Sequence, residues 1–600
     1  MKKFGILGIA ALVGLTLAGC SNSSEKIETK DVYTLNADGE VAKVSNCELL
    51  FKNGSDIPYI SLDEGTALMS NIRQNQLDDK KYKYELNKGS NEQVIKNETG
   101  AKCIVSKEKQ TLTYSDYDMF TNIFTDKQKP LSMIPLKSDF RALKVVSEDY
   151  VPGNELVVDL TKYSKLDIYS AGDRYYLPLS VYNSVLLNTQ GLISLAYNGK
   201  NVFLIPSDSL QTTELSPLPI LTELGTKFRE GAKKDTLTQE EVDYYYQSLL
   251  FDFDYQYGLR DKFTSFEQFL INQNQKANFD KKDPKGLDAA TSIALSWLND
   301  GHTALAEFSN LYDFLDNDID KGLANPVKAN WEERDEAFTK AKTEAGIKDG
   351  IEYKGNTAFV TFAKFTSVNN ELLYGMNKKD SEKDDLTGLD DSIGFDFGSL
   401  EEEIFMSNTG VLFSKLYKEL TTGEHKNDIK NIVIDLSANE GGAADGLLYA
   451  LSTLIGNVQM NLANPLTGAS NVQVYKADMN ADGAIDEKDK GLKELGFNIY
   501  FLDSAYSFSS ANAMPYIAKL NCPSVVTLGD KTAGGPCSLR SNLTTIGAVI
   551  FSSSLNTISK KVNDKFVSID DGIEADYKLT EAQMLDRNYI TTNIASWTSK

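Results

Sequence analysis

A hydroxyl that attacks a carbonyl needs a turn that lifts it clear, a base to take its proton and donors for the oxyanion. This sequence holds a counterpart of each. Residues 506–516 read YSFSSANAMPY and follow the apolar run 497–502, FNIYFL, which reads as a buried strand. Beyond them Ala513, Ile517 and Leu520 have helical spacing. A serine-rich turn between strand and helix places an oxygen near the helix's positive N-terminus, where an oxyanion is stabilised. A lone serine there also reads as a helix cap. The chain has only 2 histidines, so the base has few candidates. His425 lies in the polar loop TTGEHKN and reads as solvated, whereas His302, in LNDGHT, directly follows the amphipathic pattern of residues 287–298. Residues 432–442, IVIDLSANEGG, read as a buried strand running into a Gly-Gly turn that opens a helix. Paired glycines leave backbone N–H groups free and let a substrate approach closely.

Taken together, DLxxNxGG after one strand, SFSSAN-xx-P after a second and DGHT upstream of both resemble the tail-specific (C-terminal-processing) serine proteases. The closer branch is the one related to the tricorn core protease and the interphotoreceptor retinoid-binding protein repeats. The resemblance covers roughly residues 302–579. It implies a crotonase-like ββα catalytic domain with Ser509 as nucleophile and His302 as general base. Oxyanion donors would be the backbone N–H of Gly441 or Gly442 and of Ser510. The segment 572–576, GIEAD, resembles the family's terminal GxEPD, so Glu574 is the expected orienting acid. The chain departs from the family at several positions. Gly535 stands where the lysine-dyad branch has its lysine, and Lys531 falls earlier in that turn, so a histidine base is required. Asn512 replaces a glutamate, Gly301 replaces the serine of some relatives, and no PDZ-like segment lies between His302 and Asp435. The implied activity is hydrolysis of peptide bonds in a peptide or protein substrate. The alternatives are a catalytically degenerate descendant that binds peptides or cell-wall material, and a non-peptide acyl hydrolase.

Residues 478–489, DMNADGAIDEKD, match the DxNxDG calcium loop. Asp478, Asn480, Asp482, Asp486 and Asp489 supply side-chain oxygens, Ala484 a carbonyl, and Gly483 the tight turn. The expectation is a structural Ca²⁺ bracing an insertion, residues 476–492, beside the active site. No CxxC or CxxH spacing suggests zinc, and no organic cofactor is expected.

The elements that must position these residues fall into regions. Six hundred residues, 41% of them hydrophobic, suffice for several cores, so the chain reads as multidomain. Residues 35–217 read as β-rich, with a possible two-repeat module: IPYISL at 57–62 and RYYLPL at 174–179, each before a helix-like stretch. Residues 236–345 read as a helical accessory segment carrying His302, with TQEE at 238–241 suiting a capped helix start. Residues 346–600 alternate strands and helices, an α/β pattern with a partly parallel buried sheet, interrupted by a charged loop at 378–391. At the start, Lys2 and Lys3, an apolar core over residues 4–18 and the ending LAGC form a secretory leader, residues 1–19, too short to span a membrane. LAGC resembles a bacterial lipobox, which implies lipidation of Cys20, a polar tether over residues 20–34 and a place on the outer face of a membrane. Of the remaining cysteines, Cys47, Cys103, Cys522 and Cys537, the even number permits two disulfides or buried thiols. A formal charge of −23 argues against nucleic-acid partners.

Overall fold

The computed structural model of the chain describes residues 25–598 except 37–39, 53, 78–80, 123–128, 135–140, 207–222, 226, 229, 232, 310–325, 376–406 and 564. The leader, Cys20 and the loop at 378–391 lie outside the described residues. What is described is a mixed α/β protein built on four sheets.

The first sheet has seven strands, in the order Tyr169–Ala171, Arg174–Pro178, Tyr59–Ser61, Val41–Lys52, Glu25–Leu35, Val202–Pro206 and Ile193–Tyr197. Its strand Glu25–Leu35 occupies much of the span expected to be a tether. It pairs antiparallel along its whole length, from Glu25↔Lys52 to Leu35↔Val41. Polar residues on the open side of a half-buried strand disguise it as linker, while Val32 and Thr34 turn inward and are buried. The two similar hexapeptides become adjacent antiparallel strands, with Leu177 opposite Ile60, and each leads into a helix, Leu62–Leu77 and Leu179–Tyr182. A five-stranded meander follows, Tyr84–Lys88 through Thr111–Tyr114 closed by Leu156–Asp159.

Helix Gln239–Gln256 starts at a capping box made by Thr238 and Glu241, as TQEE predicts. Helices Phe266–Asn272 and Pro284–Ser296 follow, the latter capped by Asp283 with proline in its first turn. These helices share one core with the N-terminal strands and with Cys537, Ile550 and Leu555 of the C-terminal half. Within that core Arg540 is fully buried and bonds Asp252 of the first helix at 2.9 and 3.0 Å. Ser184 Oγ donates to the same carboxylate at 2.7 Å.

The α/β part carries a six-stranded sheet ordered Gly350–Lys354, Thr357–Thr361, Asn431–Asp435, Asn498–Asp503, Val526–Gly529 and Tyr577–Lys578. All neighbours run parallel except the first hairpin. Thr357–Thr361 and Asn431–Asp435 are buried at every residue, the pattern of parallel strands covered on both faces. Helices Ala444–Ile455 and Ser510–Asn521 make crossovers, and their N-terminal ends lie together at the C-terminal edge of the sheet.

The fourth sheet joins regions that the sequence suggests are separate. Its path runs Ala304–Glu307, Val549–Val562, Val458–Ala463, Ser470–Ala477, Leu143–Val151, with Cys537–Leu543 and Lys565–Ser568 also on Val549–Val562. Leu143–Val151, from the β-rich region, pairs along its length with Ser470–Ala477. The expected boundaries at 35–217 and 346–600 therefore cut through a sheet. Such non-local pairing leaves no local pattern. The possible disulfides do not form, and all four described cysteines are free thiols. Cys47, Cys103 and Cys537 are buried, and burial pushes the Cys103 thiol up to about 12, so these three are packed apolar groups rather than reactive ones.

Candidate active site

Ser509 caps the helix Ser510–Asn521 with φ 55° and ψ −117°, a left-handed conformation costly for a residue with a Cβ. Hydrogen bonds hold it there: its N–H donates to Gly534 O at 2.8 Å, and Ala533 N–H donates to Ser507 O at 2.9 Å. The turn aims the side chain out of the strand–helix junction, as the serine-rich segment predicts. His302 follows the helix Pro284–Ser296 and precedes the strand Ala304–Glu307, which Phe551 and Ile550 hold in register. Its Nε2 lies 3.1 Å from Ser509 Oγ, across 207 residues of sequence.

The Gly-Gly turn packs directly against this pair. Phe365 N–H donates to Gly441 O at 2.6 Å and Ala443 N–H to Phe365 O at 2.8 Å, so the Gly442 N–H faces the other way. Ser510 Oγ donates to Gly442 O at 2.8 Å, tying the two motifs together. The oxyanion donors expected from the resemblance divide into two groups. The Gly441 N–H is taken by Asn439 Oδ1 at 2.9 Å. No described acceptor takes the N–H of Gly442 or of Ser510, and the latter opens a helix, where unpaired donors and the positive end of the dipole coincide. Asn439 thus orders the turn, and its own carbonyl accepts the Phe508 N–H at 3.2 Å. Asp435 anchors the strand below: burial alone would raise its pKa, but Lys342 at 3.1 Å and Arg587 at 2.7 Å hold its carboxyl well under the usual range.

Glu574, the expected orienting acid, stands elsewhere. Its carboxylate is exposed and faces Lys531 at 3.8 Å and Lys578 at 3.5 Å. Ile573 exchanges hydrogen bonds with Thr532 on one side and Asp576 with Thr527 on the other, and between them the Glu574 side chain stands exposed. His302 Nδ1 is buried without a hydrogen-bond partner. Burial pushes the imidazole's pKa below its ordinary 6.5, with Asp300 and Asp570 acting against it. Both carboxylates are occupied. Asp300 accepts the N–H of His302 at 3.0 Å, Tyr257 Oη at 3.0 Å and Thr303 Oγ1 at 2.6 Å. Asp570 accepts the Gly535 N–H at 3.2 Å and lies 3.6 Å from Lys262 Nζ. Sequence reasoning missed these two. Asp300 sits inside DGHT and was readable there, but nothing local marks Asp570. Asn512 is buried, accepting Thr532 Oγ1 at 2.6 Å and donating to Ile569 O at 3.4 Å, so it braces the 532 turn.

Residues 478–489 form a turn-rich loop, with Ala481 at φ 52° and Gly483 at φ 92°. Asp478 accepts the N–H of Gly483 at 2.8 Å, Asp482 that of Ala484 at 3.0 Å, and Asp489 those of Met479 and Asp486 at 2.8 Å each. Asn480 Oδ1 accepts the Asp482 N–H at 2.8 Å. Lys488 Nζ stands 3.4 Å from both Asp482 and Asp486. The donor chemistry suits a hard cation, but the side chains as placed make no cage. Among the described residues no three His, Cys, Asp or Glu side chains converge to hold a metal ion.

No family model and no curated protein matches the sequence. Solved structures do match parts of it. A lipoprotein from Streptococcus agalactiae is similar over 59% of this chain and 96% of its own, at 12% identity and a TM-score of 0.33. A candidate peptidase from Parabacteroides merdae ATCC 43184 covers the same shares at 15% identity and a TM-score of 0.36. The photosystem II D1 C-terminal processing protease is similar over 39% of this chain and 45% of its own, at 14% identity and a TM-score of 0.24. Likenesses this distant carry no argument about activity, which has to come from the residues themselves.

Proposed function

We propose that this chain is a serine peptidase acting through an acyl-enzyme on Ser509, with His302 as general base. The observation that carries the reading is the 3.1 Å contact between His302 Nε2 and Ser509 Oγ, made at a serine in a left-handed turn. His302 Nε2 takes the hydroxyl proton as Ser509 Oγ attacks the peptide carbonyl. The N–H groups of Gly442 and Ser510 hold the tetrahedral oxyanion, one from the glycine turn and one from the helix end. The imidazolium returns its proton to the leaving amine, and water then resolves the acyl-enzyme by the same route. Charge on the imidazolium is balanced at a distance by Asp300 and Asp570 rather than by a bonded acid. The parallel sheet and its crossover helices support a crotonase-like ββα plan for residues 346–600.

The same proposal places the protein on the outer face of a bacterial membrane, anchored by lipid on Cys20 and facing peptide or protein substrates. The leader pattern supports this, and no helix among the described residues is long and apolar enough to cross a membrane. Calcium at residues 478–489 belongs to the proposal as a structural ion, on donor chemistry alone, and no catalytic step runs through it.

Labelling of the purified protein with a fluorophosphonate, followed by intact-mass analysis, tests the reading. We expect one adduct, on Ser509, lost in Ser509→Ala and slowed by several orders of magnitude in His302→Ala. An unlabelled, folded wild type sinks the enzyme and leaves a peptide- or cell-wall-binding lipoprotein.

A further inference from the structure

Phe508 fills three places at once. Its ring centroid lies 4.8 Å from that of His302, at 55° between planes. A Cβ on Gly301 would stand 2.6 Å from Phe508 Cζ, and one on Gly535 would stand 2.4 Å from its Cε2. Both glycines are therefore the room the ring occupies. A serine at 301 or a lysine at 535 would require this ring to shift, and Gly535 in addition holds φ 82°. The backbone of Phe508 is pinned as well: its N–H donates to Asn439 O at 3.2 Å and its carbonyl accepts the Ala511 N–H at 3.0 Å.

The imidazole that this ring touches lacks the usual second tether. Nδ1 has no acceptor, and the nearby carboxylates are spent on other donors, Asp300 on Tyr257 and Thr303, Asp570 on Gly535 and Lys262. An imidazole held by one hydrogen bond rotates about its Cβ–Cγ bond unless packing stops it. Aromatic contacts of this tilted kind stabilise beyond the area they bury.

We propose that Phe508 is a positioning residue, whose ring, in place of an acid bonded to Nδ1, keeps the His302 imidazole turned with Nε2 toward Ser509. This rests on the peptidase reading above and adds to it the residue that replaces the missing orienting acid. The ring also keeps water off one face of the imidazole, so it contributes to holding the base neutral. The charged groups facing that base are Asp300, Asp570 and, through Asp570, Lys262.

Two histidines make the test direct. In protein labelled with ¹³Cε1-histidine, His302 and His425 give two resonances, assigned with His302→Ala. Phe508→Ala is expected to move the His302 titration midpoint up toward 6.5, leave the His425 resonance in place and slow fluorophosphonate labelling at least tenfold. Phe508→Leu, which keeps part of the bulk, should fall between Ala and wild type in both readouts, and it carries the test if the alanine variant does not fold. An unmoved His302 midpoint overturns the proposal, even where labelling slows, because a ring that only shapes the fold would give that result. If wild type fails to label yet the midpoint moves as expected, the peptidase reading falls and the positioning role stands.

Discussion

Replacing Gly441 with alanine separates what the glycine turn does for the backbone from what it does for the nucleophile. Gly441 has φ 96°, and Gly496, far along the chain, has φ 99°. A left-handed conformation costs a residue with a Cβ about 1–2 kcal/mol at either place. At Gly496 the added methyl meets nothing within 4 Å. At Gly441 it would stand 2.6 Å from Phe508 O, 2.6 Å from Ser509 Cβ and 2.9 Å from Ser510 N. Two of those atoms are backbone and cannot swing aside, so the elbow itself must shift, adding about 1–3 kcal/mol of overpacking. Gly496→Ala should then lose about 1–2 kcal/mol in denaturant unfolding and Gly441→Ala about 2–5 kcal/mol. The functional difference should be larger. Displacing Ser510 N moves a proposed oxyanion donor, and losing one such donor costs about 10²–10³ in rate. Fluorophosphonate labelling of Gly441→Ala, at a temperature where both variants are folded, should therefore fall about a hundredfold while Gly496→Ala stays near wild type. Equal labelling of the two variants would refute the placement of the glycine turn against the nucleophile.

The labelling rate should be flat at neutral pH and fall by half below pH 6.5, because burial lowers the pKa of His302 from that value. The same shift means that the unfolded chain binds this proton first. Stability should decline as pH falls from 6.5 toward the folded value and be insensitive to this group above 6.5, a slope that the difference between wild type and His302→Gln in denaturant titrations isolates. Arg540→Leu leaves Asp252 buried and unpaired and should cost about 3–5 kcal/mol, whereas Arg540→Leu with Asp252→Leu should recover much of it. A single-variant loss below about 1 kcal/mol would show that the pair does not bind helix Gln239–Gln256 to strand Cys537–Leu543. If residues 478–489 take up Ca²⁺, the melting temperature should drop on adding chelator and return with excess Ca²⁺, and Asp478→Ala should abolish that response. A melting temperature indifferent to chelator removes the ion.

Local pattern determined a good part of this protein from sequence alone. Apolar runs such as IVI at 432–434 and IYFL at 499–502 announce buried parallel strands, since residues covered on both faces are mostly apolar. The capping box at Thr238 and the serine-rich turn at Ser509 are short-range devices, legible because the hydrogen bonds that define them close within a few residues or at one helix end. Two histidines narrowed the base to one candidate. Tertiary structure decided everything that depends on residues meeting across the chain. It put Glu574 on two lysines and away from the imidazole, spent the Gly441 N–H on Asn439, and brought Asp570 near the base with no local mark. It made a strand of residues expected to be tether, and laid Leu143–Val151 beside Ser470–Ala477 across a supposed domain boundary. The physical reason is the same in each case. A side chain's type limits what it can do, but which donor, charge or ring it faces is settled by packing between segments hundreds of residues apart. The same packing sets the Phe508 ring against Gly301 and Gly535, where a Cβ would overlap it.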